Sequence, residues 1–335
     1  MFQQADITQV KETHKEAILS KPNVVGVGIG YKVIRGRRTD ELCTVVLVRQ
    51  KIPKAGLDPE ALVAPEIDGV ATDVVQVGYL WALQSPTDRW RPAPGGVSLG
   101  HYQVTAGTFG SVVSDRATGE RLILSNNHVL ANSNDANPGD PILQPGAADG
   151  GKVDDDTIAR LERFCPIEFS VSPPVCNLAI RVADMANAFA RLLGSKHRLQ
   201  AFQSDPEASN LADAAVARPL DDNDILDEIL EIGVVDGTAP ASLLMSVRKS
   251  GRTTGFTTGE ITVLDATVHV SYEPGRTARF ENQIVTSPMS RPGDSGSLLV
   301  ADDSLRAVGL LFAGSDQATI HSTIQAVLDC LEVMI

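Results

Sequence analysis

The stretch that decides the fold is Ser290–Val300, which reads Ser-Arg-Pro-Gly-Asp-Ser-Gly-Ser-Leu-Leu-Val. Ser295 stands between Gly293-Asp294 and Gly296, directly before an apolar run that predicts a strand. The glycines allow a tight turn and a close approach to a ligand. Such a turn can aim the amides of Gly293 and Ser295 at one point, where an oxyanion would form. Gly, Asp and Ser are also ordinary turn formers, so a simple loop before a strand remains an alternative.

Composition limits the function classes. The 335 residues are 43% hydrophobic and carry a formal net charge of −13. A negative surface argues against nucleic-acid phosphates and anionic membranes as partners. Residues 1–10 contain no apolar signal core, and no apolar run is long enough to span a membrane. We therefore expect a cytoplasmic protein with reduced thiols.

The four cysteines fit no Cys-x-x-Cys zinc pattern. They are Cys43, Cys165, Cys176 and Cys330. Cys165 and Cys176 flank a proline-containing loop and could pair in an exported chain, but the missing signal favours free thiols.

Residues 1–83 predict a small α+β domain. Helical spacing of apolar residues predicts a helix over Ala5–Leu19. Strands are expected at Asn23–Ile34, Leu42–Arg49 and Val70–Val77, with a short helix at Leu57–Val63. The Pro- and Gly-rich residues 84–96 then predict a linker before a second domain at 97–335.

The second domain reads as short strands and turns. His128 follows Asn126-Asn127 at the end of a strand, where a polar neighbourhood suits a functional histidine. Asp213 interrupts the apolar run Leu211–Ala217, and a buried carboxylate is costly unless it is hydrogen-bonded. It either caps a turn or orients a histidine. Between these residues, Asn177–Leu193 predicts a helical insertion near residues 175–200.

The order His128, Asp213, Ser295, each at a strand end, is that of a chymotrypsin-type triad. The α/β-hydrolase alternative fails because its nucleophile elbow requires Gly-x-Ser-x-Gly before a helix. Here Ser297 takes the place of the last glycine, a strand follows, and the aspartate and histidine precede the serine.

On these motifs, Val97–Leu331 resembles trypsin/chymotrypsin-like serine peptidases of the S1 type, in particular bacterial members. Asn127-His128-Val129, Asp213-Ala214-Ala215 and Gly293-Asp294-Ser295-Gly296 resemble their three motifs, and Ser250–Gly255 resembles a turn of alpha-lytic protease. The segment before Val97 resembles that of predicted bacterial trypsin-like proteins and of the plant NARROW LEAF1 group. The long stretch between His128 and Asp213 departs from the digestive enzymes, as does Ser297.

The resemblance implies a mostly β protein with two packed six-stranded antiparallel β-barrels (chymotrypsin-like), preceded by the small α+β domain. It implies a serine endopeptidase that acts on protein or peptide substrates without a cofactor or metal, and a homo-oligomer is compatible with the sequence. Ser295 would be the nucleophile, His128 the base and Asp213 its partner, with the amides of Gly293 and Ser295 as the oxyanion hole.

The resemblance also implies a primary specificity pocket with Met289 as its floor and Phe312, Ala313 and Gly314 on its wall. It further implies a buried ion pair between Arg252 and Asp294, in place of the freed N-terminal amine of digestive relatives. A competing hypothesis is a protease-fold binding or scaffold module with weak or regulated turnover, suggested by the N-terminal unit and the long insertion.

Overall fold

The computed structural model describes residues 3–34, 36–53, 57, 59–78, 80, 84–174, 176–272 and 275–335. The chain divides into two compact units: the first 84 residues together with Glu231–Val234, and Ser85–Leu230 together with Val235–Ile335. The predicted helix at Leu57–Val63 lies partly outside the described residues. Within it, a 3-10 turn occupies Pro59–Ala61.

The N-terminal unit is a four-stranded sheet with one helix. Its elements are α1 (Gln4–Leu19), β1 (Val24–Ile34), β2 (Arg37–Val48), β3 (Glu66–Ile67) and β4 (Val70–Gln76). The sheet order is β1-β2-β4-β3, with β1 antiparallel to β2 and β2 parallel to β4. Ile18 of α1 packs on Val46 and Val48 of β2, so the amphipathic helix covers one apolar face of the sheet.

Strands are the main regular elements of the second unit. In its first half these are β5 (Ala93–Gly95), β6 (Ser98–His101), β7 (Gly107–Thr108), β8 (Ser111–Asp115), β9 (Arg121–Ser125), β10 (Pro141–Leu143), β11 (Thr157–Phe164), β12 (Val171–Ser172), β13 (Gln203–Ser204), β14 (Ala215–Pro219) and β15 (Ile225–Ile229), whereas β16 (Gly233–Val234) belongs to the segment grouped with the first unit. In its second half they are β17 (Ser246–Gly251), β18 (Gly255–Tyr272), β19 (Arg276–Thr286), β20 (Leu298–Ala301), β21 (Ala307–Gly314), β22 (Thr319–Thr323) and β23 (Val333–Met334). Its helices are α2 (Asn127–Leu130), α3 (Val153–Asp156), α4 (Asn177–Leu192) and α5 (Ile324–Leu331).

Sixteen of these strands form two curled sheets, which confirms the predicted mostly β, chymotrypsin-like two-barrel architecture behind a small α+β unit, while β5 and β15 lie in a separate small sheet. The first has the order β23-β8-β9-β14-β11-β10-β6-β7, and the second β13-β12-β19-β18-β17-β20-β21-β22. Each sheet contains six longer strands and two strands of only two residues, which lie at opposite ends of the first sheet and together at one end of the second. In the second sheet β19 also pairs with β22, so its six longer strands close into a ring.

Two boundaries differ from the sequence-based expectation. Part of the predicted linker at 84–96 is core, because Trp90 and Ala93 lie in the apolar cluster of the first barrel and β5 pairs in parallel with β15. A proline and a glycine of this stretch therefore lie in a short strand, β5, and not in a linker. At the C-terminal end the sequence predicts a helix over Thr319–Leu331, but Thr319–Thr323 is a strand that closes the second barrel and only Ile324–Leu331 is helical.

The predicted insertion helix forms as α4, but no residue of it is buried. No helix of the described residues has the length and apolarity to span a membrane. The same ranges contain no cluster of His, Cys, Asp or Glu that could hold a metal ion.

The prediction of free thiols is wrong for two of the four cysteines. Cys165, after β11, is bonded to Cys330 at the end of α5, and their Cα atoms are 6.0 Å apart, a separation that suits a disulfide. Cys43 is buried and free, and Cys176 is exposed and free. The sequence spacing could not show this pair because the fold brings together residues 165 positions apart.

Loss of this cross-link should destabilise the protein. It closes a loop of 165 residues, and disulfides on long loops contribute about 2–5 kcal/mol, mainly by restricting the unfolded chain. We expect Cys330→Ser to lower the free energy of unfolding in urea by that amount, and Cys176→Ser to leave it unchanged. Reductant should lower the stability of the wild type and not that of Cys330→Ser. Four titratable thiols in the denatured, unreduced wild type would contradict the assignment.

Candidate active site

His128 and Asp213 form one hydrogen-bonded unit. His128 lies in the short helix α2 directly after β9, and Asp213 lies two residues before β14, which pairs with β9. The Nδ1 of His128 is 2.6 Å from Oδ2 of Asp213, and the His128 amide donates to Oδ1 at 3.2 Å. A carboxylate only accepts, so Nδ1 carries a proton, and in the neutral ring the lone pair is on Nε2.

Asp213 is fully buried, while the His128 side chain is 22% exposed. A third donor reaches the carboxylate, because the Tyr272 hydroxyl donates to Oδ2 at 2.8 Å. Burial first, and the charge of Asp213 second, raise the pKa of Tyr272 well above its ordinary value, so this hydroxyl stays protonated and donates. Tyr272 is not among the residues predicted from the sequence, because it lies at the end of β18, 59 positions along the chain from Asp213.

The turn that carries Ser295 packs against β7, which also contacts the helix that carries His128. The Thr108 amide donates to the Ser295 carbonyl at 2.7 Å. A Cβ added at Gly107 would lie 2.4 Å from the Val129 side chain and 3.0 Å from the Ser295 carbonyl oxygen. The backbone of Ser295 and the residue after His128 therefore meet at one point, and only glycine fits between them.

The amides predicted as an oxyanion hole have no acceptor among the described residues. Within the described ranges, the amides of Asp294, Gly296 and Ser297 donate to carbonyls of the chain, whereas those of Gly293 and Ser295 donate to none. Gly293 has a φ of +99°, which a side chain would strain. Two unpaired amides on either side of Asp294 leave two donors for an oxygen from outside the chain.

The predicted ion pair between Arg252 and Asp294 is wrong. Arg252 makes a bidentate pair with Asp149 instead, Nε to Oδ2 and a terminal nitrogen to Oδ1, both at 2.6 Å. Asp149 also accepts from the Ser98 hydroxyl. A planar guanidinium can donate two parallel hydrogen bonds to one carboxylate. Arg252 makes both of these bonds to Asp149 and none to Asp294.

The partner of Asp294 is Lys249 on β17. Its Nζ is 3.3 Å from Oδ2 of Asp294, and both side chains are fully buried. Asp294 also accepts from the amides of Thr253, Thr254 and Arg291 and from the Thr254 hydroxyl. Burial acts to raise the pKa of Asp294, but Lys249 and these donors together hold it below its usual value. Burial lowers the pKa of Lys249, against the opposing effect of Asp294.

The residues predicted to line a specificity pocket lie in different surroundings. Met289 is buried in the apolar cluster of Val247, Ile261 and Leu299, whereas Phe312 is buried in a second cluster with Phe280. Ala313 is half-buried and Gly314 is exposed. A Cβ on Gly314 would lie 3.0 Å from the Ser290 hydroxyl, so the end of β21 runs beside the residue after Met289.

No protein-family model and no curated protein matches the chain. Solved structures that resemble it are serine proteases. Nocardiopsis protease (NAPase) is 18% identical, with a TM-score of 0.45, over 72% of this chain and 98% of that one. A glutamic acid specific serine protease is 17% identical, with a TM-score of 0.45, over 72% and 100%. Alpha-lytic protease homolog N4 is 17% identical, with a TM-score of 0.45, over 74% and 99%.

Breaking the buried pair should be costly. Lys249→Met leaves Asp294 buried without its cation, and removal of one partner of a buried pair costs about 3–5 kcal/mol. We expect Lys249→Met to lower the free energy of unfolding in urea by that amount. Asp294→Asn should cost less in the Lys249→Met background than it costs in the wild type. Lys15→Met is a matched control, because its pair with Glu12 is exposed and such pairs contribute about 0–1 kcal/mol. Additive losses at Lys249 and Asp294 would contradict the coupling.

Proposed function

We propose that the chain is a serine endopeptidase that hydrolyses peptide bonds through His128, Asp213 and Ser295. The observation that carries the proposal is the hydrogen bond from Nδ1 of His128 to the fully buried Asp213. A buried carboxylate that fixes the imidazole tautomer leaves Nε2 as a base, which a purely structural histidine does not need. The turn of Ser295 packs beside α2 and leaves two amides unpaired.

In the proposed reaction, Oγ of Ser295 attacks the carbonyl carbon of the substrate and passes its proton to Nε2 of His128. Asp213 stabilises the imidazolium, and the amides of Gly293 and Ser295 hold the oxyanion. His128 then returns the proton to the leaving amine, which departs from an acyl-enzyme. His128 then deprotonates a water molecule, which attacks the ester carbonyl of the acyl-enzyme. His128 returns this proton to Oγ of Ser295 as the acid product leaves. These steps require no cofactor.

Tyr272 and Lys249 support this arrangement without touching the substrate's reacting atoms. The Tyr272 hydroxyl holds Oδ2 of Asp213 in place for His128. Lys249 and the amides around Asp294 fix the residue just before Ser295. Because the pair is internal, no freed N-terminal amine is required, so the enzyme should be active as synthesised.

Members of a triad act as a unit, so their losses do not add. Ser295→Ala and His128→Ala should each reduce kcat by up to about 10⁶-fold, and the double variant should be little worse. A fluorophosphonate should label Ser295 of the wild type and not label Ser295→Ala, as read by mass spectrometry. Folded wild type that is not labelled would favour the binding or scaffold module, and additive losses would contradict the triad.

We also propose cleavage after small or medium apolar side chains. None of Met289, Phe312, Ala313 and Gly314 is charged, and a substrate Arg or Lys would need a buried carboxylate to compensate its charge. Mass-spectrometric mapping of cleavage sites in a proteome digest should show this preference, with Ser295→Ala as the control that removes background cleavage. A clear preference for Arg or Lys would contradict it.

A further inference from the structure

Both unpaired amides belong to peptide groups whose carbonyl oxygens are held from the opposite side. The carbonyl of Pro292, in the peptide group that carries the Gly293 amide, accepts from the Thr253 hydroxyl at 2.8 Å. The carbonyl of Asp294, in the group that carries the Ser295 amide, accepts from the Ser297 hydroxyl at 2.6 Å and the Ser297 amide at 3.0 Å.

A trans peptide group is planar, and its N–H points opposite to its C=O. Fixing the carbonyl oxygen therefore fixes the direction of the amide hydrogen. The Gly293 N–H must point away from Thr253, and the Ser295 N–H must point away from Ser297. The two hydroxyls thus determine where both amides of the proposed oxyanion hole are aimed.

The peptide group between Pro292 and Gly293 could take either of two orientations without the hydrogen bond from Thr253. Turns with glycine after the central peptide tolerate both orientations of that peptide, because glycine accepts φ of either sign. Gly293 has a φ of +99°. A flipped peptide would turn the carbonyl oxygen of Pro292 towards the oxyanion and remove the Gly293 donor.

Thr253 is itself tied to the turn that it restrains. Its amide donates to Oδ1 of Asp294 at 2.9 Å, and Asp294 is held by Lys249. The residue lies between β17 and β18, so its hydroxyl approaches the Pro292 carbonyl from a hairpin of the second barrel. Ser297 is fully buried at the start of β20.

We propose that Thr253 and Ser297 are positioning residues that hold the Gly293 and Ser295 amides in the orientation that binds an oxyanion. This inference rests on the proposed function of Ser295. It assigns a role to Ser297, which differs from the glycine of the digestive enzymes, and to the first threonine of the Ser250–Gly255 turn.

The test compares two variants of Thr253. Thr253→Val keeps the shape of the side chain and removes the hydroxyl, whereas Thr253→Ser keeps the hydroxyl. Loss of a whole oxyanion donor costs about 10²–10³-fold in kcat, and a donor that is only loosened should cost less. We expect Thr253→Val to lower kcat about 10-fold with little change in KM, and to weaken inhibition by a short apolar peptide boronic acid by a similar factor. Thr253→Ser should restore both.

A matched control is Thr262→Val, because the Thr262 hydroxyl donates to the Val285 carbonyl in β19, away from Ser295. It should leave kcat and boronate inhibition unchanged. Ser297→Ala should have a smaller effect than Thr253→Val, since the Ser297 amide still holds the Asp294 carbonyl. Thermal melting of each variant shows whether folding is retained, and the exposed position of Thr253 makes a folded variant the expected result.

The outcomes separate the two proposals. If the boronate inhibits the wild type and Thr253→Val equally, the positioning role is wrong while the peptidase proposal stands. If Thr253→Ser behaves like Thr253→Val, the hydroxyl is not the cause and the role is wrong. If the wild type neither cleaves peptides nor binds the boronate, the proposed function fails and this inference fails with it.

Discussion

The buried contact between Lys249 and Asp294 is the interaction on which the geometry around Ser295 depends. Two charges removed from water are stable only when they face each other and every remaining lone pair is satisfied. The hairpin of β17 and β18 meets that condition, with Lys249 on its first strand and the amides of Thr253 and Thr254 at its turn. Because Asp294 immediately precedes Ser295, the contacts of its carboxylate hold the turn that carries Ser295.

A second constraint comes from the first barrel. The fully buried Thr108 donates its amide to the Ser295 carbonyl and its hydroxyl to the Gly293 carbonyl, at 2.7 and 2.9 Å. Its hydroxyl also accepts from the Arg252 amide. One residue of the first barrel thus contacts both the turn that carries Ser295 and the hairpin turn of the second barrel. The two barrels therefore meet at the candidate site.

The sequence was sufficient for features that depend on local pattern. The glycines around Ser295, the polar residues before His128 and the isolated Asp213 pointed to the candidate site, and the resemblance carried by these motifs implied the two-barrel architecture. It was insufficient where distant residues compete for one partner. Arg252 and Lys249 both lie near Asp294 in the fold, and the resemblance of the Ser250–Gly255 turn pointed to Arg252. Nothing in the local pattern indicates that Asp149, 103 positions away, binds that guanidinium.

The same limit explains the other corrections. Whether Cys165 bonds to Cys330, and whether Tyr272 reaches Asp213, depends on how β11, α5 and β18 are brought together. Trp90 lies in a stretch whose prolines and glycines indicated a linker, but tertiary packing buries it in the first barrel. Composition indicated a domain boundary near Trp90, but it did not show that Trp90 belongs to the second unit.

The central claim is that Ser295, His128 and the unpaired amides form one reacting centre. The most direct test is a crystal structure of the protein after reaction with a fluorophosphonate. The account predicts a phosphonyl group on Oγ of Ser295, with one oxygen about 2.7–3.1 Å from the nitrogens of Gly293 and Ser295, and Nε2 of His128 within hydrogen-bonding distance of Oγ or of a phosphonyl oxygen. An adduct on another residue, or a phosphonyl oxygen that meets neither amide, would contradict it.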